Sequence, residues 1–72
     1  MERVKSTSVE SVDYNELLET LDVKFRKGSP YRYYGVPEET WKELLAAPSV
    51  GQFVNFRIKP YFPYKKIDQK FR

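Results

Sequence analysis

The chain contains no cysteine and no histidine. Without cysteine there is no disulfide staple, thiolate nucleophile or soft metal ligand. Without histidine, the side chain that most often serves as general base near neutral pH is also missing. The three glycines are scattered, so no glycine-rich loop is available to cradle a phosphate. No Asp/Glu cluster has the ligand spacing of a calcium or magnesium site. The carboxylates of Glu38 and Glu39 suit a helix N-terminus, and Glu16 and Glu19 fall in or near a turn. These absences lead to the expectation of a protein that is not an enzyme and carries no cofactor and no metal. No apolar run approaches the ~20 residues a membrane-spanning helix needs. The opening Met1-Glu2-Arg3-Val4-Lys5 has no signal-peptide apolar stretch behind it. A soluble, cytoplasmic protein without membrane contact is expected.

What the chain has in quantity is aromatic side chains, 17% of its 72 residues. A domain this short buries only about 60% of the surface its unfolded chain exposes. Large rings, each covering roughly 150–250 Å², offset that disadvantage. One domain over 1–72 is expected, with an ordered core over about 8–67. Charge is unevenly placed. Residues 1–47 hold seven Lys/Arg against nine Asp/Glu, and residues 48–72 hold six against Asp68 alone, so −2 and +5 make the formal +3. A basic C-terminal third points to an anionic partner, although basic tails also serve solubility.

Met1 to Ser8, small and polar, read as a loose lead-in. Val9 to Tyr14 reads as a strand with Val12 and Tyr14 on one face, and Val9, out of step, implies a bulge. Leu17 and Leu18 in the following turn are expected to lap over the core edge. Thr20 to Arg26 alternates, with Leu21, Val23 and Phe25 facing inward. Next comes Pro30-Tyr31-Arg32-Tyr33-Tyr34-Gly35-Val36, the densest β-forming run. A three-residue loop, Arg26-Lys27-Gly28, left-handed at Gly28, sets Val23 opposite Tyr31 and Leu21 opposite Tyr33. Tyr31 and Tyr33 then join the core, and Arg32 and Tyr34 face outward beside Asp22 and Lys24. Pro37 suits the first position of a helix whose stripe is Trp41, Leu44 and Leu45, ended by Pro48. Ser49 with Gln52 has capping-box spacing for a second helix buried through Val50, Phe53, Val54 and Ile58. In that helix the Arg57 stem is covered while its guanidinium reaches out or stacks on a ring, and Phe56 points to solvent. From Pro60 the pattern predicts an extended segment to Tyr64, its rings folded back on the domain. A short strand over Lys65-Lys66-Ile67 and a frayed end from Asp68 follow. The fold class expected is α+β: a three-stranded antiparallel sheet, then two short helices on one face (β-β-β-α-α), with an extended aromatic C-terminal segment.

The order of motifs resembles the KTSC domain. A strand ending Leu-x-Val-x-Phe-x-x-Gly is followed by Tyr-x-Tyr-Tyr-Gly-Val-Pro, Leu-Leu-Ala-Ala-x-Ser-x-Gly-x-Phe, Asn-x-x-Ile and Phe-Pro-Tyr. The resemblance runs from about Ser8 to Ile67. Its central Tyr-x-Tyr matches Tyr31 and Tyr33, and Gly28, Pro37, Ser49, Gly51, Phe53, Asn55, Ile58, Pro63 and Tyr64 also fit the pattern. Phe56 and Arg57 depart from it, where a basic residue and often a histidine stand. The resemblance implies a small bacterial or phage domain of unknown function. It is also found at the C-terminus of some lysyl-tRNA synthetases, a context that suggests RNA binding.

Nucleic-acid binding needs cations for phosphates and flat rings for bases. Arg57, Lys59, Lys65 and Lys66 alternate with Tyr61, Phe62 and Tyr64, and Lys24, Arg26 and Arg32 surround Tyr34 on the outer sheet face. These cations, with Tyr34 as a stacking ring, are the candidate contacts to RNA or single-stranded nucleic acid. Asp22 opposite Arg32 would neutralise part of that face. The alternative is a protein-interaction module, a monomer or weak dimer. Its contacts would be exposed Tyr34 or Phe56, or a free sheet edge.

Overall fold

The alternating segments assemble into one antiparallel sheet in a computed structural model that describes residues 2–3 and 9–67. Its strands are β1 (Glu2–Arg3), β2 (Val9–Asn15), β3 (Thr20–Phe25), β4 (Tyr31–Tyr34) and β5 (Tyr64–Lys66), paired in that order. Helix α1 (Glu38–Ala46), helix α2 (Val50–Phe53) and a π-helical turn (Val54–Ile58) lie between β4 and β5. The α+β class and the strands-then-helices order hold, and the sheet is wider than three strands. Glu2–Arg3 pairs with β2 instead of leading in loosely. Tyr64–Lys66 closes the β4 edge, and Ile67 N–H donates to the Pro30 carbonyl. The expected fraying from Asp68 lies outside the described residues.

Register decides which side chains share a face. Val12, Val23, Tyr31 and Lys66 form one row on the helix side, and Tyr14, Leu21, Tyr33 and Tyr64 form the next. Asp13, Asp22, Arg32 and Lys65 form a row on the opposite face. A bulge between Val9 and Ser11 restores Val9 to the inner face, where it is fully buried. The core unites Val9, Val12, Leu21, Val23 and Tyr33 with Val36, Leu44, Val50, Val54 and Ile58. Tyr14 stacks on Trp41 with ring centroids 5.3 Å apart, and its hydroxyl donates to the Val36 carbonyl at 2.6 Å. Ser49 caps α2 by accepting from the Gln52 N–H.

Four local expectations are corrected. Leu17 is 94% exposed because pairing of Asn15 with Thr20 closes a four-residue turn that projects past the sheet. Leu18, whose N–H donates to Asn15 Oδ1, is exposed with it. Leu45 is also exposed: α1 packs along Trp41 and Leu44, and the next residue is turned about 100° toward solvent. The Pro60–Tyr64 segment is not extended throughout. Proline donates no N–H, but Tyr61 and Phe62 both donate to the Ile58 carbonyl, so the coil continues one turn. Of the rings there, Phe62 packs on the core and Tyr61 stays outside.

The fourth correction concerns the β3–β4 connection. The expected register is found, Val23 opposite Tyr31 and Leu21 opposite Tyr33. Yet Gly28 is not left-handed; the glycine at positive φ is Gly35, at 74°. Phe25 pairs with Val9 on β2, and the β3–β4 ladder ends at Val23–Tyr31, so the connection splays open instead of closing as a tight three-residue loop. With more residues to turn through, no single one needs positive φ.

Candidate nucleic-acid interface

The splayed connection creates a hollow of ≈ 430 Å³ at the end of β3 and β4. Phe25 and Tyr31 form its ring wall, meeting edge to face at 5.8 Å. Arg26 and Lys27 come from the turn itself, with Gly28 and Ser29 completing the floor. Lys59 reaches in from just past the π-helical turn. Its N–H donates to the Val54 carbonyl, an i→i−5 bond that finishes the π-helical turn, and its Nζ lies 5.5 Å from the Phe25 ring centroid. Among the described residues lining the hollow, none is acidic. The hollow therefore combines three positive charges with two rings. Lys66 takes the register position beside Tyr31 on the same face.

The outer sheet face has a different character. Lys24, Arg32 and Tyr34 share it, as expected, and Lys65 joins them. Arg26, expected there too, lines the hollow instead, because the strand ends at Phe25 and the chain turns away. Tyr34 is 38% exposed. Arg32 is committed to Asp22 by two hydrogen bonds, Nε to Oδ1 at 2.7 Å and Nη2 to Oδ2 at 3.0 Å. That pairing raises the guanidinium pKa further. Asp13 stands opposite Asp22, so the row is close to neutral.

The candidates thus divide among surfaces. Arg26 and Lys59 meet in the hollow with Lys66 alongside, and Lys24, Arg32, Tyr34 and Lys65 lie on the outer face. Lys65 and Lys66, adjacent in sequence, face opposite ways because strand side chains alternate. Arg57 stands apart from both groups. It lines a second hollow between α1 and the π-helical turn, 3.9 Å from Glu43 and with its Cζ 5.5 Å over the Phe53 ring. Tyr33 is fully buried, and Tyr31 is half-buried core and half ring wall. Lys27, Ser29 and Phe25 were missed as site residues. The signal was the pair Arg26-Lys27 beside Gly28, read for turn geometry and not for charge. Among the described residues, no group of three His, Cys, Asp or Glu side chains is placed to hold a metal ion. Nor, among them, is any helix long and apolar enough to cross a membrane.

Fold and site together define a small α+β domain with helices on one sheet face and a basic, ring-lined hollow at one end. The chain belongs to the KTSC domain family, whose model matches residues 5–62. It is 33% identical to a KTSC domain protein of Yersinia pestis whose crystal structure superposes with a TM-score of 0.90, covering 93% of this chain and 94% of that one. A protein of Tsukamurella paurometabola is 42% identical over 62 residues, spanning 86% of this chain and 92% of its own length. A lysine–tRNA ligase of Nostoc punctiforme is 34% identical over 59 residues, which cover 82% of this chain and 10% of the ligase.

Proposed function

We propose that this domain is a non-enzymatic, cytoplasmic binding module for single-stranded RNA. The observation that carries the reading is the meeting of Arg26, Lys27 and Lys59 with the Phe25 and Tyr31 rings in one hollow. Cations neutralise phosphates, and rings stack on unpaired bases irrespective of sequence. Lys66 beside the hollow and Lys24, Lys65 and Tyr34 on the outer face extend the surface along which a strand could run. Arg32 contributes less, being held by Asp22. The similarity to part of a protein named lysine–tRNA ligase supports an RNA partner.

The test is titration of a fluorescent RNA oligonucleotide across a salt series. Three phosphates neutralised on a single strand give a slope of log K against log salt of about −2. No binding at low salt would remove the reading, and a flat salt response would point to an uncharged partner. The competing protein-interaction reading draws on Phe56 and Tyr61, 68% and 70% exposed. A concentration-dependent dimer that buries them would favour it. Edge pairing is disfavoured at β5, where Lys65 and Lys66 guard a three-residue strand.

A further inference from the structure

We infer that the hollow at the β3–β4 turn is a subsite for a phosphomonoester carried on a nucleoside, either a free mononucleotide or the phosphorylated end of a strand. The inference deepens the RNA-binding reading and rests on it for the strand-end case. Three features point this way. The first is charge. A phosphodiester inside a strand carries one negative charge, whereas a phosphomonoester carries about −1.5 to −2 at pH 7. Lys27 and Lys59 converge on this hollow with Arg26 adjoining, and among the described residues neither lysine forms an ion pair with a carboxylate. That concentration of charge exceeds what one diester needs and suits a monoester.

The second feature is the pairing of charge with a ring wall. Lys59 Nζ lies 5.5 Å from the Phe25 ring centroid, so its ammonium stands beside the aromatic surface. Tyr31 meets Phe25 edge to face and contacts Tyr64 at 5.3 Å, two ring neighbours that hold it as a platform for a base. The third is size: ≈ 430 Å³ lies at the lower end of the 300–1,000 Å³ typical of small-ligand pockets, enough for one nucleotide and not for a run of them. The Ser29 hydroxyl is a further donor for phosphate oxygens.

The experiment is an NMR titration of the full chain with adenosine 5′-monophosphate, adenosine and inorganic phosphate, following the amides of Gly28, Ser29 and Tyr31. The monophosphate is expected to shift these amides and to bind about tenfold or more tightly than adenosine or phosphate alone. The groups facing the hollow are Arg26, Lys27, Lys59 and Tyr31, with Tyr64 and Lys66 beside Tyr31. Between pH 5 and 7, monophosphate affinity should rise with the phosphate's own second ionisation near pH 6. The exposed pair K27E/K59E should abolish binding while the dispersion of core amides stays unchanged.

RNA oligonucleotides bearing a 5′-phosphate, a 3′-phosphate or free hydroxyl ends then separate the sources. Tighter binding of a phosphorylated end, lost in K27E/K59E, supports the strand-end case. Monophosphate binding without any RNA binding supports the free-nucleotide case and removes the RNA reading. RNA binding that ignores end phosphorylation, with no monophosphate shifts at the turn, overturns the inference and leaves the RNA reading standing. Tighter capture of a phosphotyrosine peptide than of the monophosphate also overturns it.

Discussion

The Tyr33 ring is fully buried beneath Tyr64, 5.6 Å away, but its hydroxyl has no hydrogen-bond partner among the described residues. An unsatisfied buried hydroxyl costs roughly 1–3 kcal/mol. Tyr33→Phe should therefore hold or raise stability, whereas Tyr33→Ala, which empties the site, should lose about 3–5 kcal/mol in urea unfolding. A Phe variant as damaging as the Ala variant would show that the hydroxyl is satisfied. Burial, with the Tyr64 and Tyr31 phenols nearby, pushes the Tyr33 pKa up to about 12. Tyr14 moves the same way, through burial and then Glu19, Glu38 and Glu16. Both phenols are thus favoured neutral in the folded state. Their contribution is complete below pH ~10, the unfolded value, and fades as pH climbs through the folded value. Stability should fall between about pH 10 and 12, and Tyr33→Phe should flatten that decline. A profile unchanged by the substitution would assign the alkaline loss to other groups.

At the scale of elements, two left-handed residues hold the ends of the β2–β4 unit together. Glu19, at φ 54°, closes the β2–β3 turn, and its carbonyl accepts from the Val36 N–H just after Gly35. A Cβ at Gly35 would meet nothing within 4 Å, so only its φ of 74° resists substitution. Gly35→Ala should cost about 1–2 kcal/mol, and Glu19→Gly should gain up to about 1 kcal/mol by relieving the same strain. Thermal unfolding of the two variants checks both signs; equal effects would contradict the backbone account. The π-helical turn has the complementary task. One extra residue in its hydrogen-bonded ring re-aims the coil, so that Ile58 enters the core while Lys59 reaches Phe25.

For the whole molecule, charge placement ranks the surfaces. On the RNA reading, K27E/K59E should weaken oligonucleotide binding well beyond K24E/K65E, because the outer face already carries Asp13 and Asp22 beside Arg32. The reverse order, measured by anisotropy at one fixed salt, would move the interface to the outer face. Much of the fold was legible in the chain: the alternation through β2, β3 and β4, the Trp41–Leu44 part of the α1 stripe and the Ser49 cap are local patterns, each set by side-chain period and short-range hydrogen bonding. The Tyr31/Tyr33 pairing was legible too, although the left-handed Gly28 offered as its cause was not the cause. Aligning Leu21 and Val23 with alternate tyrosines buries one apolar face, and that pattern sets register without a special turn residue. The hollow could not be read this way. It required Phe25 to pair with Val9, the β3–β4 turn to open and a π-helical turn to deliver Lys59 from more than thirty residues away. That this chain forms β2, β3, β4, α1 and α2 followed from its own local periodicity. Which cations stand together, and which neighbours in sequence are parted onto opposite faces, was settled only when long-range packing closed the sheet against the helices.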